Sequence, residues 1–121
     1  MSTSTTTFDI TRFSRAFAER DAAAQIEAYA PEATVTIADP TTQPSAPRVL
    51  RGRDAITAWV EDIAARELTH AVKHAVQDDD GAAYVIGCSY PDGSKVMCAS
   101  AMTLERGLIR EQTVVQVWDQ S

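Results

Sequence analysis

V-L-R-G-R-D-A-I-T-A-W-V-E-D-I, residues 49–63, is the stretch that decides the fold. Gly52 is an allowed helix N-cap and Asp54 puts negative charge in the first turn. Ile56, Trp59, Val60 and Ile63 recur at i, i+3, i+4 and i+7, so one stripe of the helix is buried. The chain before it reads as helices and irregular segments, and the chain after it as strands. The helix is therefore expected to lie on the sheet those strands build, with a tryptophan turned toward it.

Upstream, Ile10, Phe13, Ala16 and Phe17 share one helical face within Phe8 to Arg20, with Thr7 or Asp9 able to cap the start. Asp21 is a fresh N-cap for a helix from Ala22 to Ala30 that Pro31 stops. Val35 and Ile37 alternate with Thr34 and Thr36, which predicts a short, edge-like strand over Ala33 to Ala38. The run D-P-T-T-Q-P-S-A-P at 39–47 holds three prolines and no periodicity. It predicts a loop, of the kind that rims a pocket.

Downstream the period changes from 3.6 to 2. From Thr69 to Gln77, His70, Val72, His74 and Val76 take one face, expected to be the inner one. A turn at Asp78–Gly81 leads to a strand over Ala82 to Tyr90, and Pro91-Asp92-Gly93 turns the chain into a strand over Lys95 to Glu105. Matching the larger residues of these two strands pairs Tyr90 with Val96 and Cys88 with Cys98, within bridging range of each other, although reduced thiols are expected. Gly107 turns the chain into a closing strand over Leu108 to Trp118. The opposite face carries Ala71, Ala75, Ala99, Ala101 and Thr103, small enough for another sheet to approach, which predicts a homodimer through it. The element order implies an α+β fold, with three helices packed on one face of a curved antiparallel sheet.

Length and charge set the remaining bounds. A chain of 121 residues fits one domain, expected over 8–119 behind a disordered tail at 1–7. Seventeen acidic against eleven basic residues give a net charge of −6 and no footprint for nucleic acid or an anionic membrane. The opening M-S-T-S-T-T-T has neither the basic nor the apolar region of a signal peptide, so a cytoplasmic protein is expected. Two cysteines make no metal site alone and form no C-x-x-C motif.

Several segments resemble the nuclear transport factor 2-like (NTF2-like) superfamily, and within it the small SnoaL-like proteins. They are Y-A-P-E-A-T-V at 29–35, A-D-P at 38–40, V-L-R-G-R-D-A-I at 49–56, Y-P-D-G at 90–93 and G-L-I-R at 107–110. The resemblance implies a cone, in which a bent sheet wraps three helices around an apolar pocket, often in a homodimer. Its members include ketosteroid isomerases, scytalone dehydratases and polyketide cyclases, and also domains with no chemistry. Asp39-Pro40 resembles the isomerase base, but Phe13 stands where the isomerase has its oxyanion tyrosine and Ser100 near its acidic partner. His70 resembles the dehydratase pocket histidine, while Phe17 and Ala18 replace that enzyme's tyrosine and aspartate.

The expected pocket inventory is therefore Asp39, His70 and Tyr90 as acid–base and oxyanion groups, with Trp59, His74, Tyr84, Cys88, Met102 and Gln112 against a small apolar ligand. Each has a plainer reading: Trp59 as core, Asp39 as a turn residue, the histidines and tyrosines as satisfied buried groups, the cysteines as small hydrophobes. On a strand, His70 and His74 stand some 13 Å apart at ~3.3 Å per residue, too far to share a metal. No metal or cofactor is expected. The reading that results is a SnoaL-like pocket protein acting by isomerisation, dehydration or cyclisation on an oxygenated compound, the alternative being a noncatalytic ligand-binding or dimerising domain.

Overall fold

The computed structural model describes residues 8–119; the tail expected at 1–7 lies outside them. The elements are α1 (Ile10–Ala18), α2 (Ala22–Glu27), β1 (Tyr29–Ala38), β2 (Arg48–Arg51), α3 (Arg53–Ala65), β3 (Thr69–Gln77), β4 (Gly81–Ser89), β5 (Lys95–Glu105) and β6 (Leu108–Trp118). Asp9 caps α1 by accepting from the backbone N–H groups of Thr11 and Arg12, and Asp21 caps α2 by accepting from that of Ala24. Gly52 begins α3 at φ +86°, a left-handed backbone that a residue with a Cβ adopts only under strain.

The strands form one six-stranded sheet in the order β2-β1-β6-β5-β4-β3. The expected antiparallel sheet is in fact mixed, because β1 and β6 pair in parallel. Strands β3 to β6 form a meander, and its last strand arrives beside β1 running in the same direction. The three helices pack on the inner face, α1 against β3 and α3 against β1 and β2. Gln77 ties α1 to β3: its Oε1 accepts from Ile10 N–H at 2.8 Å and its Nε2 donates to the Phe8 carbonyl at 2.9 Å.

Four expectations need correction. The second helix ends at Glu27, and β1 begins at Tyr29 with Pro31 inside an irregular stretch where the register against β6 shifts. Proline fits there because a bulge leaves its missing N–H without a ladder partner to lose. Strand β1 is internal; the edge is β2, cut from a segment that reads as the approach to the helix. The β4–β5 register slides by two residues, pairing Cys88 with Val96 and Ile86 with Cys98. The inner face is preserved by a two-residue slide, but the cysteines become diagonal neighbours.

The fourth correction moves His74. A register shift between Val72 and His74 places Val72 opposite buried Ile86 but His74 opposite Val85. His70 and Val72 therefore face inward, while His74 and Val76 face out. The same bulge gives Ala75 the parity of buried Tyr84 and removes it from the outer face.

Candidate functional site

The mouth of the cone opens on a cavity of about 400 Å³ between the C-terminal half of α3, the end of β1 and the inner face of β3 to β6. Its apolar walls are Ile37, Trp59, Ile63, Leu68, Val96 and Trp118; its polar groups are Asp39, Arg48, Arg66, His70, Cys88, Tyr90, Cys98 and Gln116. Beneath it lies a smaller recess of about 60 Å³ reaching Phe17, Gln25, Tyr29 and Tyr84. Trp59, Ile63, His70, Cys88, Cys98 and Gln116 border both spaces and form the waist between them. An apolar concavity with a few converging polar groups is the usual form of a small-molecule site.

At the waist, His70 Nδ1 lies 3.3 Å from Cys88 Sγ. The imidazole is half-buried and tilted against Phe17, with ring centroids 6.0 Å apart. A hydrogen bond from the Cys98 thiol pulls the Cys88 thiol well below its usual range; burial opposes this and His70 reinforces it. The Cys98 thiol is raised in turn, first by that bond and then by burial. One thiol of the pair is thus favoured as the thiolate, and the one in contact with imidazole is Cys88.

On the same cavity wall, Arg66 donates to the Tyr90 hydroxyl at 3.0 Å and to Asp62 at 2.6 Å. The Tyr90 ring stacks on Trp118 with centroids 5.6 Å apart and planes 29° apart. Because the hydroxyl oxygen accepts from a guanidinium, its own O–H remains available to a cavity occupant and is polarised toward donation.

Asp39 borders the cavity, but its carboxylate is engaged elsewhere. Oδ1 accepts from the Thr41 N–H at 2.8 Å and the Thr41 hydroxyl at 2.7 Å, an Asx turn. The Thr41 hydroxyl is the main cause of a carboxyl pKa below the ordinary value. Such a group is a weaker base than a free aspartate.

The remaining expected ligand contacts divide. Trp59 and Cys88 line the cavity, and Tyr84 lines only the recess. Gln112 sits deeper: its Nε2 donates to Tyr84 Oη at 3.1 Å and Ser100 Oγ at 2.7 Å, and its Oε1 accepts from the Tyr29 hydroxyl. It is a core residue joining three buried hydroxyls. Met102 is buried outside both spaces, and His74 borders a shallow trough on the outer sheet face. The residues missed in the sequence are Arg66, Gln116 and Trp118. For the last two a signal existed, since Gln112, Val114, Gln116 and Trp118 share one parity of the closing strand.

Burial is the first cause that raises the tyrosine hydroxyls of Tyr29 and Tyr84, with Gln112 opposing in both. Their folded pKa values exceed the unfolded value near 10, so their contribution to stability is complete below pH ~10 and is lost as pH rises from there through the folded values. Urea midpoints are expected to be flat from pH 8 to 9.5 and to fall steeply by pH 11, less steeply in Tyr84→Phe.

The SnoaL-like domain model matches residues 10–112. The chain belongs to the SnoaL-like family. Among solved structures it is similar to a nuclear transport factor 2-like protein of unknown function from Mesorhizobium loti, with 22% identity over 88% of this chain and 86% of that one and a TM-score of 0.76. A proposed ketosteroid isomerase from Kribbella flavida aligns at 14% identity over 92% and 75%, with a TM-score of 0.69. A proposed polyketide cyclase from Sinorhizobium meliloti aligns at 22% over 87% and 91%, with a TM-score of 0.65. At these identities the likeness is one of fold. Among curated proteins no sequence relative is found. Within the described residues of this SnoaL-like chain, no three metal-ligating side chains converge and no helix is long and apolar enough to cross a membrane.

Proposed function

We propose that the cavity is a cofactor-independent acid–base site for a small, largely apolar carbonyl compound, with His70 as base and Tyr90 as oxyanion donor. The observation that supports it is one apolar cavity bordered by both His70 and the Arg66–Tyr90 pair. A Cys88 thiolate accepts the Nδ1–H of His70, which fixes the tautomer and leaves Nε2 free to take a proton. Nε2 removes a proton next to the carbonyl, and the Tyr90 O–H, backed by Arg66, stabilises the enolate oxygen. Returning the proton to another carbon isomerises the compound, passing it to a departing β-hydroxyl releases water, and attack of the enolate on a second carbonyl, with the proton passed to the new alkoxide, cyclises it. The test needs no product: 2-tetralone in D₂O is followed by NMR for protein-catalysed exchange of its α-hydrogens. Exchange above the buffer rate supports the reading; binding without exchange supports the noncatalytic alternative.

For assembly we propose a homodimer through the outer sheet face. Val76, Met97, Val115 and Val117 are exposed there at 66%, 53%, 47% and 66%, beside Ala99 and Ala101, an apolar surface that a second copy would cover. Light scattering is expected to give twice the 13.1 kDa chain mass at micromolar concentration, and Val115→Lys to give the monomer. A wild-type monomer at those concentrations contradicts it.

A further inference from the structure

The waist of the cavity holds the only two cysteines of the chain, and the acid–base reading uses Cys88 only to orient His70, not as a reacting group. Cys88 is 8% exposed, yet it borders both the open cavity and the recess, so it is reached through the cavity and not from the outer surface. Its sulfur lies 3.3 Å from His70 Nδ1, and Cys98 borders the same two spaces. A cysteine buried only for packing has no use for an imidazole at hydrogen-bonding distance, whereas a nucleophilic thiolate is favoured by one.

Two other uses of the pair fail on geometry. Cys88 pairs with Val96 and Cys98 with Ile86, so the cysteines are diagonal neighbours. Diagonal positions lie ~7–8 Å apart, beyond the usual Cα spacing of a disulfide. Among the described residues no three metal-ligating side chains converge, so the two thiols and His70 do not make a metal group. What remains is attack on an electrophile that enters the cavity, and its chemistry is set by the rest of the wall. Arg66 and Tyr90 can hold a carbonyl oxygen, and Trp59, Ile63 and Val96 suit an apolar carbon skeleton.

We propose that Cys88 is a nucleophile that captures α,β-unsaturated aldehydes and ketones in this cavity as thioether adducts. The thiolate adds to the β-carbon and forms a C–S bond. The alkene π pair moves to the carbonyl oxygen as an enolate facing Tyr90, and the α-carbon then takes one proton from solvent. No oxidant or reductant is consumed. The capture requires a cavity open to small carbonyl compounds, and it does not require the proton-transfer turnover proposed above.

The experiment treats the full chain with cyclohex-2-enone at pH 6 beside N-acetylcysteine, and reads adducts by intact mass and peptide mapping. Cys88 is expected to be the modified residue, at a rate at least about tenfold above N-acetylcysteine because more of it is thiolate at that pH. His70→Leu, checked for native circular dichroism, is expected to slow the adduct by removing the imidazole beside the sulfur. Cys88→Ser abolishes it. Modification at Cys98, no adduct at Cys88, or a Cys88 rate equal to that of N-acetylcysteine in wild type overturns the proposal. Loss of capture with retained 2-tetralone exchange rejects the nucleophile and keeps the acid–base site; capture without exchange does the reverse.

Discussion

His70→Gln is expected to slow α-hydrogen exchange of 2-tetralone by about 10²–10⁴-fold, the range of a positioned acid–base group, while ligand affinity changes far less. Glutamine keeps a polar side chain at the waist but cannot take a proton. Asp39→Asn is the control. Its carboxylate is committed to Thr41 and lowered by it, and asparagine preserves the Asx turn, so exchange is expected to be unchanged. If Asp39→Asn stops exchange and His70→Gln does not, the base has been assigned to the wrong residue. Turnover that depends on neither leaves the tyrosine alone, which supplies no base.

The second large effect is on stability. Gln112→Leu leaves the Tyr29, Tyr84 and Ser100 hydroxyls without the amide that joins them, all three in the buried core. An unsatisfied buried polar group costs ~1–3 kcal/mol, and Tyr84 and Ser100 can partly re-pair, so the loss is expected to total about 2–5 kcal/mol. That is a large share of the roughly 5–15 kcal/mol that holds a domain folded. Adding Tyr29→Phe and Tyr84→Phe to Gln112→Leu removes two of the three stranded hydroxyls along with the amide, leaving that of Ser100, and part of the loss should return. Urea denaturation of the single and triple variants measures both. A triple variant less stable than the single one would show that the hydroxyls find other partners once the amide is lost, so that stranding them does not set the cost.

The helices were legible because their signals are local. Asp9, Asp21 and Gly52 cap the three helices as their chemistry suggests, and the stripe Ile56, Trp59, Val60, Ile63 faces the core. The meander strands were legible from alternation, as was the inner face of β4, where Ala82, Tyr84, Ile86 and Cys88 are all buried. Register was not. A two-residue slide keeps every side chain on its face, so hydrophobic pattern cannot distinguish Cys88–Cys98 from Cys88–Val96 pairing. The β3 bulge was equally hidden, since His70, Val72, His74 and Val76 alternate without a break in sequence while the backbone reverses their facing.

Part of the site was hidden for a related reason. Trp59, His70, Cys88 and Tyr90 were found from periodicity, and they do border one cavity. Arg66 follows the last turn of α3 in the run A-A-R-E-L, where charge reads as solvated surface. Only the folded chain shows it donating to Tyr90, 24 positions away. Asp39 was found for its place beside Pro40, but the hydrogen bonds that weaken it as a base come from Thr41, a neighbour whose effect is local and could have been read.

A titration with 2-naphthol, a flat apolar phenol whose anion mimics an enolate, tests most directly whether one cavity joins an apolar skeleton to an oxyanion donor. Its absorbance distinguishes neutral naphthol from naphtholate. Saturable binding is expected at pH 8 with the bound ligand more ionised than free naphthol, and loss of that ionisation in Tyr90→Phe. Binding as neutral naphthol with equal affinity to wild type and Tyr90→Phe, or no binding at all, would contradict it.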